Sequence, residues 1–223
     1  MEFARSARLI RRYVRPMIQC MAMLVDGPKT AAKSFLFAHG AGAPMDSPFM
    51  QRVAEGVAAS GVRVTRFEFP YMQRRRETGK GGAPDPPRIL MQSFRDAIEE
   101  VGGGRRLVIG GKSMGGRIAS MVADDAAVLG VVCLGYPFHP PAKPEKTRTQ
   151  HLENLRTPTL ILQGTRDTLG LKEEVGSYKL SPAIRIAWIE DGDHSFKPRA
   201  RSGRTEAGNV DAAIALVAEF IAA

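Results

Sequence analysis

From residue 34 onward the chain alternates two kinds of apolar pattern. Short runs rich in Val, Ile, Leu and Phe recur at Ser34 to Ala38, Val62 to Phe67, Arg106 to Ile109, Gly130 to Leu134, Pro158 to Leu162 and Ile184 to Ile189. Between them lie segments whose apolar residues fall three or four apart. Pro48 to Ser60 puts Met50, Val53 and Val57 on one helical face, and Gly61 ends it. Ile89 to Val101 is helical up to Gly102-Gly103-Gly104, and Met114 to Ala127 follows. Glu206 to Ala222 keeps Val210, Ile214, Val217 and Ile221 in register. The Arg-, Pro- and Gly-rich stretch from Pro70 to Pro87 reads as the longest loop.

Strand-like and helix-like segments in alternation predict a three-layer α/β/α sandwich, with a mostly parallel sheet of about six to seven strands. Right-handed crossovers put the loop after each strand at the sheet's carboxyl edge, where ligands bind in open α/β folds. Gly135 to Gln150 is short and proline-rich, so no helical lid is expected there.

Composition changes this picture little. At 223 residues, with 43% hydrophobic and 25% charged, the chain suits one α/β domain. Two cysteines, Cys20 and Cys133, make neither a disulfide framework nor a metal site, which points to a reducing, cytoplasmic compartment. No His/Cys/Asp spacing suggests a metal, and no apolar run approaches the ~18 residues of a membrane span. Nucleic-acid binding is not expected, because the basic groups lack interleaved aromatics.

The net charge of +9 is uneven. Residues 1 to 22 carry Arg5, Arg8, Arg11, Arg12 and Arg15 against Glu2, which is +4 of it. This basic leader is expected to be flexible or not native, with an ordered extra helix or a targeting role as the alternatives. In the body, Arg74, Arg75, Arg76 and Lys80 follow one strand. Lys143, Lys146 and Arg148 follow another, and Lys197, Arg199, Arg201 and Arg204 follow a third. All would crowd the carboxyl edge, either as a solvated loop surface or as a rim that attracts anionic substrates or an acidic partner.

The chemistry gathers at the same edge. Gly111-Lys112-Ser113-Met114-Gly115 is a G-x-S-x-G pentapeptide between a strand and a helix, a context that holds a serine above the sheet. Serine is a poor nucleophile at neutral pH and needs a base, which needs an orienting carboxylate. Asp167 follows the strand ending at Leu162, and His194 follows the strand ending at Ile189, which gives the chain order Ser, Asp, His. Asp191 and Asp193 compete with Asp167 but read as turn formers. Among the other histidines, His39 reads as a support of its own turn and His139 as a pocket or loop residue. His151 reads as solvated, and Cys133 as an inert buried residue.

Four segments, His39-Gly40-Ala41-Gly42, Gly111 to Gly115, Gly164-Thr165-Arg166-Asp167 and Gly192-Asp193-His194-Ser195-Phe196, resemble the α/β-hydrolase superfamily over about residues 23 to 222. The chain is similar to dienelactone-hydrolase-like and acyl-peptidase-like esterases. It also resembles a lid-poor hydrolase-like branch that includes a subunit of a histone-acetyltransferase complex. The dienelactone group has a cysteine nucleophile where this chain has Ser113.

The resemblance implies a minimal hydrolase domain over 23–223 that acts without a cofactor on a small ester or thioester. Ser113 would be the nucleophile, His194 the base and Asp167 its orienter. The N–H groups of Met114 and Ala41 would form the oxyanion hole, and Tyr71, His139 and Arg75 would contact substrate. A non-enzymatic interaction module and an acyltransferase are the alternatives.

Overall fold

In the computed structural model of this chain, residues 21–223 are described. The leader expected over residues 1–22 therefore falls almost wholly outside the described residues. The sheet has seven strands: β1 (Met23–Asp26), β2 (Ser34–Ala38), β3 (Arg63–Phe67), β4 (Leu107–Lys112), β5 (Gly130–Leu134), β6 (Thr159–Gly164) and β7 (Ile184–Ile189). Their spatial order is β1-β3-β2-β4-β5-β6-β7, with β1 antiparallel to β3 and every other pairing parallel. The helices are α1 (Pro48–Ala58), α2 (Pro70–Thr78), α3 (Pro87–Glu100), α4 (Met114–Ala126), the single turn α5 (Lys172–Val175) and α6 (Glu206–Ala222). Together they form the expected sandwich, without a large lid.

Period-two alternation splits the core into two layers. In β2, Leu36 and Ala38 face one layer, where Leu90, Phe94, Ala97 and Ile98 of α3 meet Ile118, Ala119 and Val122 of α4. Phe35 and Phe37 face the other, where Met50, Val53 and Val57 of α1 meet Val210, Ala213 and Val217 of α6. A strand buried on both faces reads as a continuous apolar run, which is why these strands stand out in the sequence.

Besides the single turn α5, which the sequence pattern does not mark, two elements differ from the sequence expectation. Pro70–Thr78, read as loop, is helix α2, entered by proline at its first turn and ended by Gly79 in the left-handed conformation. Only Tyr71 and Met72 of this arginine-rich helix are buried, so it carries almost no periodic signal. β1 was also not anticipated. It is a four-residue edge strand whose Leu24 and Val25 are exposed, so burial leaves no alternation to read.

The topology positions the site. From β2 the chain crosses to β3 on one side, then returns past β2 to β4 on the other. The loops after β2 and β4 thus diverge above hydrogen-bonded neighbours, at the switch point where open α/β sheets bind ligands.

Candidate active site

β4 runs straight into the pentapeptide, and its ladder continues through Gly110, Gly111 and Lys112. Ser113 then turns sharply at φ 52° and ψ −114°, and Met114 begins α4. A positive φ on a non-glycine residue is a strained backbone that the surroundings must hold. The neighbouring glycines allow it. A Cβ on Gly111 would lie 2.4 Å from the Gly115 backbone, and one on Gly115 would lie 2.5 Å from the Ala38 carbonyl oxygen.

The structure brings Ser113, His194 and Asp167 together. His194 Nε2 is 2.9 Å from Ser113 Oγ, and its Nδ1 is 2.7 Å from Asp167 Oδ2. Asp167 is fully buried, and both of its oxygens accept further hydrogen bonds. Gln163 Nε2 donates to Oδ2 at 2.9 Å and the Leu169 N–H donates to Oδ1 at 2.9 Å. Gln163 itself is locked by accepting from the Tyr136 N–H at 2.8 Å. The carboxylate can therefore face the imidazole in only one way. Asp191 and Asp193 shape the histidine turn instead. Asp191 accepts from the N–H and Nε of Arg199, each at 2.7 Å, and Asp193 accepts from the N–H groups of Ser195 and Lys197.

Opposite this turn, His39 to Gly42 forms a second one. The Phe69 N–H donates to His39 Nε2 at 3.1 Å, so the proton sits on Nδ1, which donates to the Gly40 carbonyl at 2.6 Å. Burial pushes this imidazole's pKa down and keeps it neutral. Tyr71 Oη also points at the Gly40 and Ala41 carbonyls, at 3.2 and 3.0 Å. A trans peptide sets its C=O and N–H on opposite sides. Pinning the Gly40 carbonyl inward therefore turns the Ala41 N–H outward, where it meets no acceptor among the described residues. Met114, the first residue of α4, has no intrahelical acceptor for its own N–H.

A cavity of about 310 Å³ opens in front of Ser113 and His194, and Ala41, Phe49, Met50 and Lys112 are among its walls. Of the residues expected to contact substrate, none lines it. Tyr71 is buried behind the 39–42 turn, where its ring carries the Arg75 guanidinium at 5.2 Å. Arg75 also reaches the Ala41 carbonyl at 3.5 Å and the Gly82 carbonyl, so both residues brace that turn from behind. His139 is buried with Nδ1 donating to the Pro140 carbonyl at 2.9 Å and Nε2 3.5 Å from Glu174. Its place is the packing between the 135–149 segment and α5.

His151, expected to be solvated, is half-buried with Nε2 2.9 Å from Ser120 Oγ. Burial and the neighbouring Arg117 push its pKa down to about 4. Cys133 is fully buried, and burial pushes its thiol pKa well up, which leaves it unreactive. Of the rim arginines, Arg74, Arg76 and Arg199 pair with Asp85, Glu68 and Asp191. No group of three or more His, Cys, Asp or Glu side chains among the described residues is placed to hold a metal ion. None of their helices is long and apolar enough to cross a membrane.

The sequence reading missed two residues of this site. Gln163 and Lys112 lie in or at the end of apolar strands, and only the fold brings them to the other site residues. The one available signal was a polar residue standing in an otherwise apolar run.

A family model described as "Alpha/beta hydrolase domain" matches residues 31–222. Among solved structures, the chain is similar to an alpha-beta serine hydrolase homologue from Coxiella burnetii, with TM-score 0.66, 17% identity and coverage of 89% of this chain and 90% of that one. A dienelactone hydrolase from Anabaena variabilis matches at TM-score 0.66 and 20% identity over 90% of each chain. A lidless α/β serine hydrolase from Xanthomonas campestris matches at TM-score 0.66 and 17% identity over 89% and 88%.

Proposed function

The chain belongs to the alpha/beta hydrolase domain family, and from that footing we propose that it is a serine hydrolase cleaving a small ester or thioester. The observation that carries this is the relay from Ser113 Oγ through both ring nitrogens of His194 to the buried Asp167. In the forward step, His194 Nε2 takes the Ser113 proton as Oγ bonds to the substrate's carbonyl carbon. The carbonyl oxygen takes up negative charge between the N–H groups of Ala41 and Met114. Collapse breaks the carbon–oxygen or carbon–sulfur bond, and His194 hands its proton to the departing alcohol or thiol. Water then gives a proton to His194 and attacks the acyl-enzyme. Release of the carboxylic acid returns that proton to Ser113.

Asp167 keeps the proton on Nδ1 and stabilises the imidazolium as it forms. The start of α4 adds its dipole to the oxyanion side. The cytoplasmic location inferred from the cysteine count belongs to the same proposal.

A fluorophosphonate probe combined with a panel of activated esters and thioesters tests the reading. Wild type is expected to label at Ser113 and turn over part of the panel. Ser113→Ala is expected to do neither, losing on the order of 10⁶-fold in kcat where the machinery acts as a unit. Folded wild type that neither labels nor turns over any member overturns the reading in favour of an interaction module. A product that follows an added alcohol or amine rather than water would make it an acyltransferase.

A further inference from the structure

The cavity in front of Ser113 contains a cation that the chemistry above leaves unused. Lys112 ends β4, immediately precedes Ser113 and lines the cavity. Its Nζ donates to the His194 carbonyl at 2.6 Å and lies 5.7 Å from the centre of the Phe49 ring, and both of those residues are also cavity walls. An ammonium has three donors, and this contact takes one. Lys112 forms no ion pair with any described residue. Asp167 and Asp193 act on it only from farther away. The rim arginines Arg74, Arg76 and Arg199 differ, because each already holds an acid.

The rest of the cavity sharpens the contrast. Gly40, Ala41, Ala43, Phe49 and Met50 offer no side-chain charge. Ser47, also in the wall, has a buried hydroxyl with no hydrogen-bond partner, and it caps no N–H of α1. An unpaired buried hydroxyl and a half-buried ammonium without an acid both carry a desolvation cost that a suitable ligand would offset.

We propose that the limb of the substrate occupying this cavity ends in a carboxylate, held by the Lys112 ammonium and the Ser47 hydroxyl. The proposal rests on the reading of Ser113 as nucleophile. It places anion selection inside the cavity, next to the reacting serine, rather than on the outer rim. Burial holds the Lys112 pKa down to about 8, with Asp167 and Asp193 pulling the other way. The titratable groups facing it are those two acids and the imidazole of His194. The ammonium is therefore charged at pH 7 and loses its charge as pH rises through about 8, while an aliphatic carboxylate stays ionised throughout.

Two matched ester pairs test this on the full chain. p-Nitrophenyl hexanoate against the p-nitrophenyl half-ester of adipic acid places the charge on the acyl limb. Phenyl acetate against 4-carboxyphenyl acetate places it on the leaving limb. At pH 7 wild type is expected to prefer the charged member of one pair by about tenfold or more in kcat/KM. Lys112→Met is expected to abolish that preference and Ser47→Ala to reduce it several-fold. The wild-type preference should fade between pH 7 and 9, and in Lys112→Met the ratio should not change with pH.

A tether to the His194 carbonyl alone would lower charged and neutral esters by the same factor. That result overturns the proposal, as does the absence of a preference in both pairs. If Lys112→Met does not fold, Ser47→Ala and the wild-type pH series carry the test. Fluorophosphonate labelling separates the two levels of the argument. Protein that labels at Ser113 but shows no preference fails only as an anion-selective enzyme. Protein that does not label fails as a serine hydrolase.

Discussion

The two turns that face each other across Ser113 are held by different kinds of force. The 39–42 turn is braced from behind without an ion pair, by the His39 Nδ1–H, the Tyr71 hydroxyl and the Arg75 guanidinium, which meets carbonyls and the Tyr71 ring. The 191–197 turn is braced by charge. Asp191 pairs with Arg199, Asp193 gathers two N–H groups, and Lys112 holds the His194 carbonyl. Neutral bonds in a buried setting are little affected by salt. Half-exposed ion pairs are screened and contribute modestly. The oxyanion side is thus built for constancy, and the base side is built on groups whose strength depends on the medium.

The largest expected effect comes from crowding the charged side. Gly135 sits at φ +68°, and a Cβ there would lie 2.8 Å from the His194 carbonyl oxygen and 2.9 Å from Lys112 Nζ. Gly135→Ala must displace the ammonium or the histidine turn, and it strains its own backbone. Ester turnover is expected to fall at least about 100-fold, in the range of losing a critical catalytic interaction. Retention of near-full kcat would show that the turn is not held where the structure puts it.

A smaller effect is expected at the 39–42 turn. Tyr71→Phe keeps the ring but removes the hydroxyl from the Gly40 and Ala41 carbonyls. His39 still orients the shared peptide, so kcat should fall about tenfold, less than the 10²–10³ of a lost oxyanion donor. KM and thermal stability should change little. A change confined to KM would mean that Tyr71 contacts substrate after all.

The smallest effect is a difference in acid tolerance, read from urea unfolding between pH 7.5 and 4. His39 and His151 both have folded pKa values below the ordinary 6.5, His39 through burial and His151 through burial and Arg117. Below 6.5 the unfolded chain binds protons that the folded one refuses. Stability therefore falls as pH drops toward 4, by up to about 1.4 kcal/mol per pH unit for each fully refusing group. Asp191, held below its ordinary value by Arg199, adds its loss only as pH falls through the ordinary carboxylate range, at the acid end of this window. His151→Gln should flatten part of the slope, and the remainder should persist as the share of His39. An unchanged slope would remove His151 from the account.

Much of this was legible in the sequence because strands buried on both faces are apolar runs and their ends are marked by glycine. Ser113, Asp167 and His194 stand just past such ends, so chain order alone nearly places them. The supports were harder to see. α2 buries only Tyr71 and Met72, and its arginines act through hydrogen bonds and ion pairs rather than by packing, so its sequence reads as loop. Tyr71 and Arg75 were expected in the cavity and stand behind its wall. His139 was expected there too and packs against α5. Lys112 and Gln163 needed the fold, since Lys112 meets a carbonyl 82 residues away.

The pairing of Ala38 with Gly111 in adjacent parallel strands has a consequence for how such a molecule can be altered. Three residues beyond that rung stands Ala41, and two residues beyond it stands Ser113. The ladder acts as a gauge block that sets the gap between the two arms, because a slip of one residue would shift one arm by about 3.3 Å and turn its side chains over. The exposed residues 141–147 lie outside this gauge. Grafted sequence there would leave the spacing of the reacting groups intact, so a library of inserted sequence belongs there, with both ends of the rung kept as they are.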